Sequence, residues 1–338
     1  MENLDVMVLR ALRDWRLAGR RALLTTVVRT WGSSPRPVGS IMALAEDGAV
    51  VGSVSGGCIE DDLIARYSRL HGAAQPMPSG APTLVKYGIT ADEAHRFGLP
   101  CGGTLELLLE CDPDPMSLQA LVESLERGQL MQRTVQLADG AVRLAQAASP
   151  AALSVNEREL ANTFGPEYRM LLIGAGQLAE YLATMAKFSG FAVTLCDPRA
   201  EYRSAWTVPG VTVTTEMPDD AVTAFRPDRR SCVVALTHDP KLDDLALLEA
   251  LASDAFYVGA IGSRRNAEAR RQRMVEHFDQ TPESLARLRG PIGIYIGSKT
   301  PPEIAVSVMA EILAVKNAVA LPREIGVASA KALQEELG

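Results

Sequence analysis

Four apolar residues, Met170-Leu171-Leu172-Ile173, run without a break into Gly174-Ala175-Gly176-Gln177-Leu178-Ala179. A buried strand ending in G-x-G-x-x-A admits few folds, because it sets a strand, a tight glycine corner and a helix start in that order. The helix after this turn would carry Leu178, Leu182 and Met185 on one face, and 191–196 reads as a second strand closed by Asp197. An acid roughly twenty residues past such a turn stands where dinucleotide folds hold a ribose. Strand-like runs at 211–214, 232–236, 256–261 and 292–296 bring the set to six, the number of a doubly wound parallel sheet. Residues 167–338 are therefore expected to form a Rossmann-type domain with C-terminal helices. The turn either binds a pyrophosphate at the helix N-terminus or only lets helix and strand pack. Gly174, Gly176 and Asp197 are its candidate ligand residues, for NAD(P) or another nucleotide. Arg199 leaves open whether a free 2′-hydroxyl or a 2′-phosphate would be read.

Ligands of such sheets sit beyond the carboxyl ends of the strands. Thr237-His238-Asp239-Pro240, the run ending Ser263-Arg264-Arg265-Asn266, and Gly297-Ser298-Lys299-Thr300 should all arrive there. Ser263, Arg264 and Arg265 at a helix start combine free N–H groups with guanidinium, which suits an anion. Lys299 adds a cation. Gly-Ser-Lys-Thr lacks the upstream glycine of a phosphate loop and comes after the wrong strand, which excludes ATP hydrolysis. His238 is either an acid–base or metal group or a structural residue beside a helix cap. Arg270, Arg271 and Arg273 read as a solvated helix face.

The first half has its own glycine corner, Gly52-Ser53-Val54-Ser55-Gly56-Gly57-Cys58-Ile59-Glu60, leading into a helix through 61–67. Paired glycines permit positive φ, and N–H groups left unpaired at the helix start would favour a thiolate at Cys58. Pro100-Cys101-Gly102-Gly103-Thr104 repeats the chemistry in mirror order. Gly56, Gly57, Cys58, Cys101, Gly102 and Gly103 either line one sulfur-bearing ligand site or form two tight turns around small buried residues. Around them, 4–19 reads as a helix, 22–30 as a strand, and 41–45 with 49–51 as a hairpin turned by Asp47-Gly48. The loop carrying Arg36 and the loop carrying Cys58 should then leave the same end of neighbouring strands. A surface connection is expected over 72–82, strands over 83–87 and 104–110, helices over 91–97 and 116–127, and a second hairpin at 134–137 and 141–144. Periodicity fades over 147–165, which places a domain boundary near 157–166 and an N-terminal mixed α/β domain at 1–156.

Composition narrows the function. A chain of 338 residues with a formal charge of −7 has no basic excess for nucleic acid. Its five cysteines hold no C-x-x-C pair, which is neither a disulfide framework nor a zinc pattern and fits a reducing cytoplasm. The acidic start lacks the pattern of a signal peptide, and no apolar run reaches the length of a membrane span.

Taken together, Gly52 to Glu60, Cys101-Gly102-Gly103, Leu172-Ile173-Gly174-Ala175-Gly176, Thr237-His238-Asp239, Ile261-Gly262-Ser263-Arg264-Arg265 and Pro291-Ile292-Gly293 through Ala305 resemble the XdhC/CoxI family. The resemblance covers nearly the whole chain in the order of that family's two domains. It implies an α/β accessory protein of xanthine dehydrogenase and related molybdenum hydroxylases. Such a protein would bind the molybdenum cofactor, as molybdopterin or its cytosine dinucleotide form. It would support sulfuration of the cofactor with a cysteine desulfurase and deliver it to the apo-enzyme without being a catalyst itself. A homo-oligomer is expected. The alternatives are an NAD(P)-dependent oxidoreductase and a non-catalytic nucleotide-sensing scaffold.

Overall fold

The computed structural model describes residues 3–32, 36–69, 77–88 and 104–331. The helix expected over 91–97 and the Cys101-Gly102-Gly103 turn lie outside them. The chain divides into two compact units, Glu2–Pro166 and Glu167–Gly338.

In the first unit, α1 (Leu4–Leu17) begins at Asn3, whose side chain accepts the Asp5 N–H. It precedes β1 (Ala22–Trp31), β2 (Ile41–Ala45), β3 (Val50–Gly52), α2 (Cys58–Tyr67), β4 (Thr83–Tyr87), β5 (Thr104–Cys111) and α3 (Pro115–Glu126). The five strands form an antiparallel sheet in the order β3-β2-β1-β5-β4. Seven successive residues of β1 are buried because both faces of this sheet are covered. Leu24, Ile41 and Ala43 pack under Val8, Leu9 and Leu12 of α1 and Leu118 and Leu121 of α3. Leu23, Val27 and Met42 pack under Ile59 and Leu63 of α2. Two-sided cover makes a continuous apolar run rather than an alternating one.

A second antiparallel sheet, β7-β6-β9-β8, joins β6 (Met131–Gln136), β7 (Val142–Gln146), β8 (Ser154–Val155) and β9 (Glu159–Phe164). The stretch that reads as aperiodic in the sequence, 147–165, thus holds two strands. β9 alternates buried and half-buried positions along Glu159–Phe164, but its polar Asn162 and Thr163 hide the apolar period. The bidentate Arg133–Glu110 pair, at 2.9 and 2.7 Å and nearly fully buried, fastens β6 to β5.

The second unit contains β10 (Tyr168–Ile173), α4 (Gln177–Phe188), β11 (Phe191–Cys196), α5 (Ala200–Arg203), β12 (Thr212–Thr214) and α6 (Pro218–Phe225). It continues through β13 (Ser231–Ala235), α7 (Pro240–Ala252), β14 (Tyr257–Ala260), α8 (Arg264–His277), β15 (Leu288–Arg289) and α9 (Pro301–Lys316). Its six strands are parallel in the order β12-β11-β10-β13-β14-β15, the doubly wound arrangement. Met170, Leu172 and Val234 pack against Leu182 of α4 and Val308 and Ile312 of α9. Leu171, Ile173 and Val233 pack on the other side against Val222 of α6, Leu247 of α7 and Met274 of α8.

The sixth strand differs from the one expected from the sequence. Leu288–Arg289 pairs with β14, and the apolar run 292–296 is no strand of this sheet. Pro291 brings no N–H. After a single bond from Ile292 N–H to the Ala260 carbonyl of β14 at 3.3 Å, the donors leave the sheet: Gly293 N–H to Glu311 of α9 at 2.7 Å, Ile294 N–H to the Ser307 carbonyl at 3.3 Å, and Tyr295 N–H to the Ile325 carbonyl at 2.6 Å. Gly293 and Ile294 are laced to α9, and Ile292 is buried against it.

Candidate functional site

The glycine corner of the first unit is shaped by a carboxylate. Glu60 sits in the first turn of α2 and its side chain turns back into the loop that precedes the helix. Its Oε1 accepts the Val54 and Ser55 N–H groups at 2.8 Å each, Gly56 N–H at 3.2 Å and the Ser53 hydroxyl at 2.7 Å. Its Oε2 accepts Gly57 N–H at 2.9 Å and the Ser55 hydroxyl. The loop N–H groups at 54 to 57 are therefore taken, and at the helix start, where unpaired N–H groups are expected, the Ile59 N–H goes to Ser55 Oγ at 3.2 Å. A glutamate in the third position of a helix reaches its own cap, and that spacing is present in the sequence. Burial pushes this carboxyl up, yet the Ser55 hydroxyl and N–H and the Ser53 hydroxyl outweigh it and hold the group at about 2, below the ordinary 4.5. A depressed acid stabilises the fold fully above its unfolded value and loses that contribution as pH falls through the folded one. The loop should stay formed at pH 5 and loosen toward pH 2.

The two loops expected at one end of the strands do meet. Arg36 Nε donates to Ser53 Oγ at 3.2 Å, so the loop after β1 touches the loop after β3. Trp31 at the end of β1 lies opposite Thr104 at the start of β5, placing that start at the same end of the sheet. Gly56 and Gly57 have φ of +90° and +152°, and a side chain at either would meet open space. Cys58 is the first residue of α2. Cys101, Gly102 and Gly103 lie outside the described residues.

In the second unit the strand ends align, with Ile173, Ala235 and Ala260 in register across β10, β13 and β14. Gly174 has φ +107°, gives its N–H to the Cys196 carbonyl at 2.8 Å, and leaves no room for a side chain: a Cβ would lie 2.8 Å from Thr237 Cγ2. Gly176 caps α4 with open space around it, so backbone there is approachable. Asp197 is fully buried. Its Oδ1 accepts Arg199 N–H and Nε at 3.0 and 2.9 Å, and its Oδ2 accepts Ala175 N–H and Arg199 Nη2 at 2.8 and 2.9 Å. A carboxylate offers about four acceptor sites, so none is left for a ribose. In this structure Asp197 fastens the glycine turn to β11.

Beyond β13, Asp239 caps α7 by accepting Lys241 N–H at 3.0 Å, and exposed His238 takes φ +63°. Behind them Asp243 accepts the Thr237 hydroxyl at 2.6 Å and Arg270 at 3.0 Å, while Asp244 accepts Arg270 at 2.8 Å and Arg273 at 2.8 Å. Arg271 donates to the Leu285 carbonyl at 2.9 Å and to that of Leu288. The arginine run expected to be a solvated face is thus a clamp, which holds α8 to α7 and to the chain leading into β15. Acidic partners 26 and 27 residues away in sequence were the hidden signal.

Beyond β14, Ser263 caps α8 by accepting Asn266 N–H at 3.1 Å. A cavity of about 490 Å³ opens there, lined by Gly262, Ser263, Arg264, Arg265, Pro291, Val327 and Lys331. Lys331 is a cation that no sequence motif pointed to, since it arrives from the far end of the chain. Lys299 does not line this cavity; its N–H and that of Thr300 go to Glu303 at the start of α9.

Comparison with known proteins adds the family. Residues 170–312 match the XdhC Rossmann domain, and residues 15–88 match the XdhC and CoxI family. The chain belongs to the XdhC and CoxI family. The molybdenum cofactor insertion chaperone PaoD of Escherichia coli is 27% identical over 91% of this chain and 88% of its own length. A protein of Bacillus subtilis named as a probable xanthine dehydrogenase subunit is 24% identical over 95% of this chain and 100% of its own. A crystal structure described as that of a xanthine dehydrogenase from Bacillus halodurans superposes with a TM-score of 0.65 at 22% identity, covering 98% and 99% of the two chains. At that identity the likeness speaks for the fold.

Within this XdhC-family chain, the described residues contain no group of three or more His, Cys, Asp and Glu side chains that could hold a metal. Cys196 is buried, and its thiol is pushed up to about 12 by burial and by neighbouring Asp197. Burial raises Cys232 as well. Both are inert packing residues at neutral pH. What the second unit offers a ligand is positive charge and approachable backbone.

Proposed function

We propose that this protein binds the molybdenum cofactor as cargo and delivers it to a molybdenum hydroxylase of the xanthine dehydrogenase or aldehyde oxidase type. The observation that carries this reading is that both family domains are matched along one chain, with a relative named for cofactor insertion aligned over 91% of it. The cavity at the start of α8 fits the cargo's phosphate: Arg264, Arg265 and Lys331 supply charge, and the helix start supplies N–H groups. Its volume is in the range that holds a cofactor-sized ligand. Open backbone at Gly176 suits a further phosphate, as in the cytosine dinucleotide form. In the first unit, taken by itself, Cys58 is the candidate for a soft sulfur contact to a metal–sulfur centre. A cysteine desulfurase, which would supply the sulfur, completes the proposed set of partners, and the cytoplasm is the proposed location.

An NAD-dependent dehydrogenase of this fold would use an acid open to the adenosine ribose, and Asp197 is enclosed by Ala175 and Arg199. That favours binding and delivery over hydride transfer. Charge-assisted bonds from arginine to phosphate contribute about 1.5–3 kcal/mol each. Arg264→Ala with Arg265→Ala should therefore weaken affinity for isolated molybdopterin by at least roughly tenfold and flatten its salt dependence. Titration of both proteins at two salt concentrations tests this; equal affinity at both would remove the arginines from the phosphate site.

A further inference from the structure

Four successive N–H groups converge on one carboxylate at 2.8 to 3.2 Å, those of Val54, Ser55 and Gly56 on Oε1 and that of Gly57 on Oε2, joined by the hydroxyls of Ser53 and Ser55. Successive N–H groups arranged this way make an anion hole of the kind that receives phosphate. Here the hole is filled by the chain's own Glu60. A second anion brought into it would meet that carboxylate at close range and be repelled. The loop is therefore unsuited to receive a phosphate, and its backbone runs directly into Cys58, the first residue of α2. Ser53 extends the arrangement outward: its hydroxyl donates to Glu60 and its oxygen accepts Arg36 Nε, so one carboxylate sets both loops at this end of the sheet. Tyr87 on β4 holds the other side of α2 by donating to Asp62 at 2.9 Å. The helix is fixed, and the open backbone at Gly56 and Gly57 leaves the loop's outer surface accessible.

Building on the cofactor-binding role of Cys58 proposed above, the geometry points to Glu60 as the positioning residue of the glycine loop, an internal anion that fixes the backbone leading into Cys58. A residue that only fills space would be replaceable by glutamine, which has nearly the same shape. An anion in the hole is not replaceable in that way, because the amide nitrogen standing in for Oε2 cannot accept the Gly57 N–H.

The test compares wild type with Glu60→Ala, Glu60→Gln, Ser53→Ala and Cys58→Ala. Two quantities are read on each: bound molybdopterin, as its oxidised fluorescent derivative, and the rate at which iodoacetamide modifies Cys58, followed by peptide mass spectrometry. Both Glu60 variants should lose pterin on the order of tenfold and show Cys58 modified severalfold faster. Ser53→Ala, which keeps the carboxylate and removes one donor and the Arg36 link, should fall between. Added acetate should return the Glu60→Ala rate toward wild type by refilling the hole, and should leave Glu60→Gln unchanged. Wild-type loading and rate in Glu60→Gln would overturn the proposal, and so would an acetate-insensitive Glu60→Ala. If Glu60→Ala does not fold, an unchanged rate in both Ser53→Ala and Glu60→Gln overturns it equally. Equal pterin in wild type and Cys58→Ala would instead remove Cys58 from the cargo site, while the acetate response still decides the role of Glu60.

Discussion

Arg270→Ala should destabilise the second unit by about 3–5 kcal/mol, because it removes the guanidinium from buried Asp243 and leaves buried Asp244 with Arg273 alone. Arg270 is 5% exposed, and Asp243 and Asp244 are 0% and 3% exposed, so water cannot replace the lost guanidinium. Burial already pushes the Asp243 carboxyl up, against the lowering effects of Thr237 and Arg270. Without Arg270 the folded chain would take up a proton there. An acid raised in the folded state costs stability as pH climbs above its unfolded value, near 3.8 here, until it ionises in the folded state. The deficit should therefore be smaller at pH 5 than at pH 8 when urea midpoints are compared. An equal deficit at both would mean the carboxylates are not its source. Function should suffer too, since Asp243 holds Thr237 and Thr237 packs on Gly174.

Gly52→Ala should cost about 3 kcal/mol from overpacking and backbone strain together. Gly52 has φ +90°, and a Cβ there would lie 2.4 Å from the Ile41 carbonyl oxygen and 2.6 Å from Val8 Cγ2. The methyl of Val8 can turn aside, but the carbonyl belongs to β2, so the strand itself must shift. Gly56 is the internal control. It has the same φ of +90° with nothing within 4 Å, so Gly56→Ala should show the strain alone, about 1–2 kcal/mol. Equal losses in the two variants, measured by urea denaturation, would exclude the clash. Because Gly52 immediately precedes the Glu60-bound loop, Gly52→Ala should also disturb the presentation of Cys58.

The fold was legible where local chemistry and tertiary pairing agree. The 170–173 strand, the glycine turn and the 191–196 strand form one contiguous unit, and the structure keeps all three. The hairpin followed from the Asp47-Gly48 turn, and the placement of the Arg36 and Cys58 loops at one end of the strands followed from it; the Arg36–Ser53 bond itself is seen only in the structure. Legibility failed where a partner lies far along the chain. Ile292 is buried against α9 and Gly293 and Ile294 are bonded to it, and no local pattern separates that from a strand. Arg270 resembles a solvated arginine until Asp243 and Asp244 are brought beneath it. Asp197 stands at the ribose-binding position by count, but Arg199, two residues on, folds back and saturates it. Glu60 was in plain view inside the glycine motif; its four backbone donors became visible only when the loop closed around it.

Carriage of the molybdenum cofactor by this chain is the central claim, and the bound ligand itself tests it most directly. Protein purified without oxygen from a cofactor-producing host should release molybdopterin, or its cytosine dinucleotide form, when denatured and oxidised to the fluorescent derivative. The Arg264→Ala, Arg265→Ala double variant from the same host should release far less. A nicotinamide nucleotide as the released ligand, with no pterin above that of an unrelated protein purified alongside, would contradict the claim.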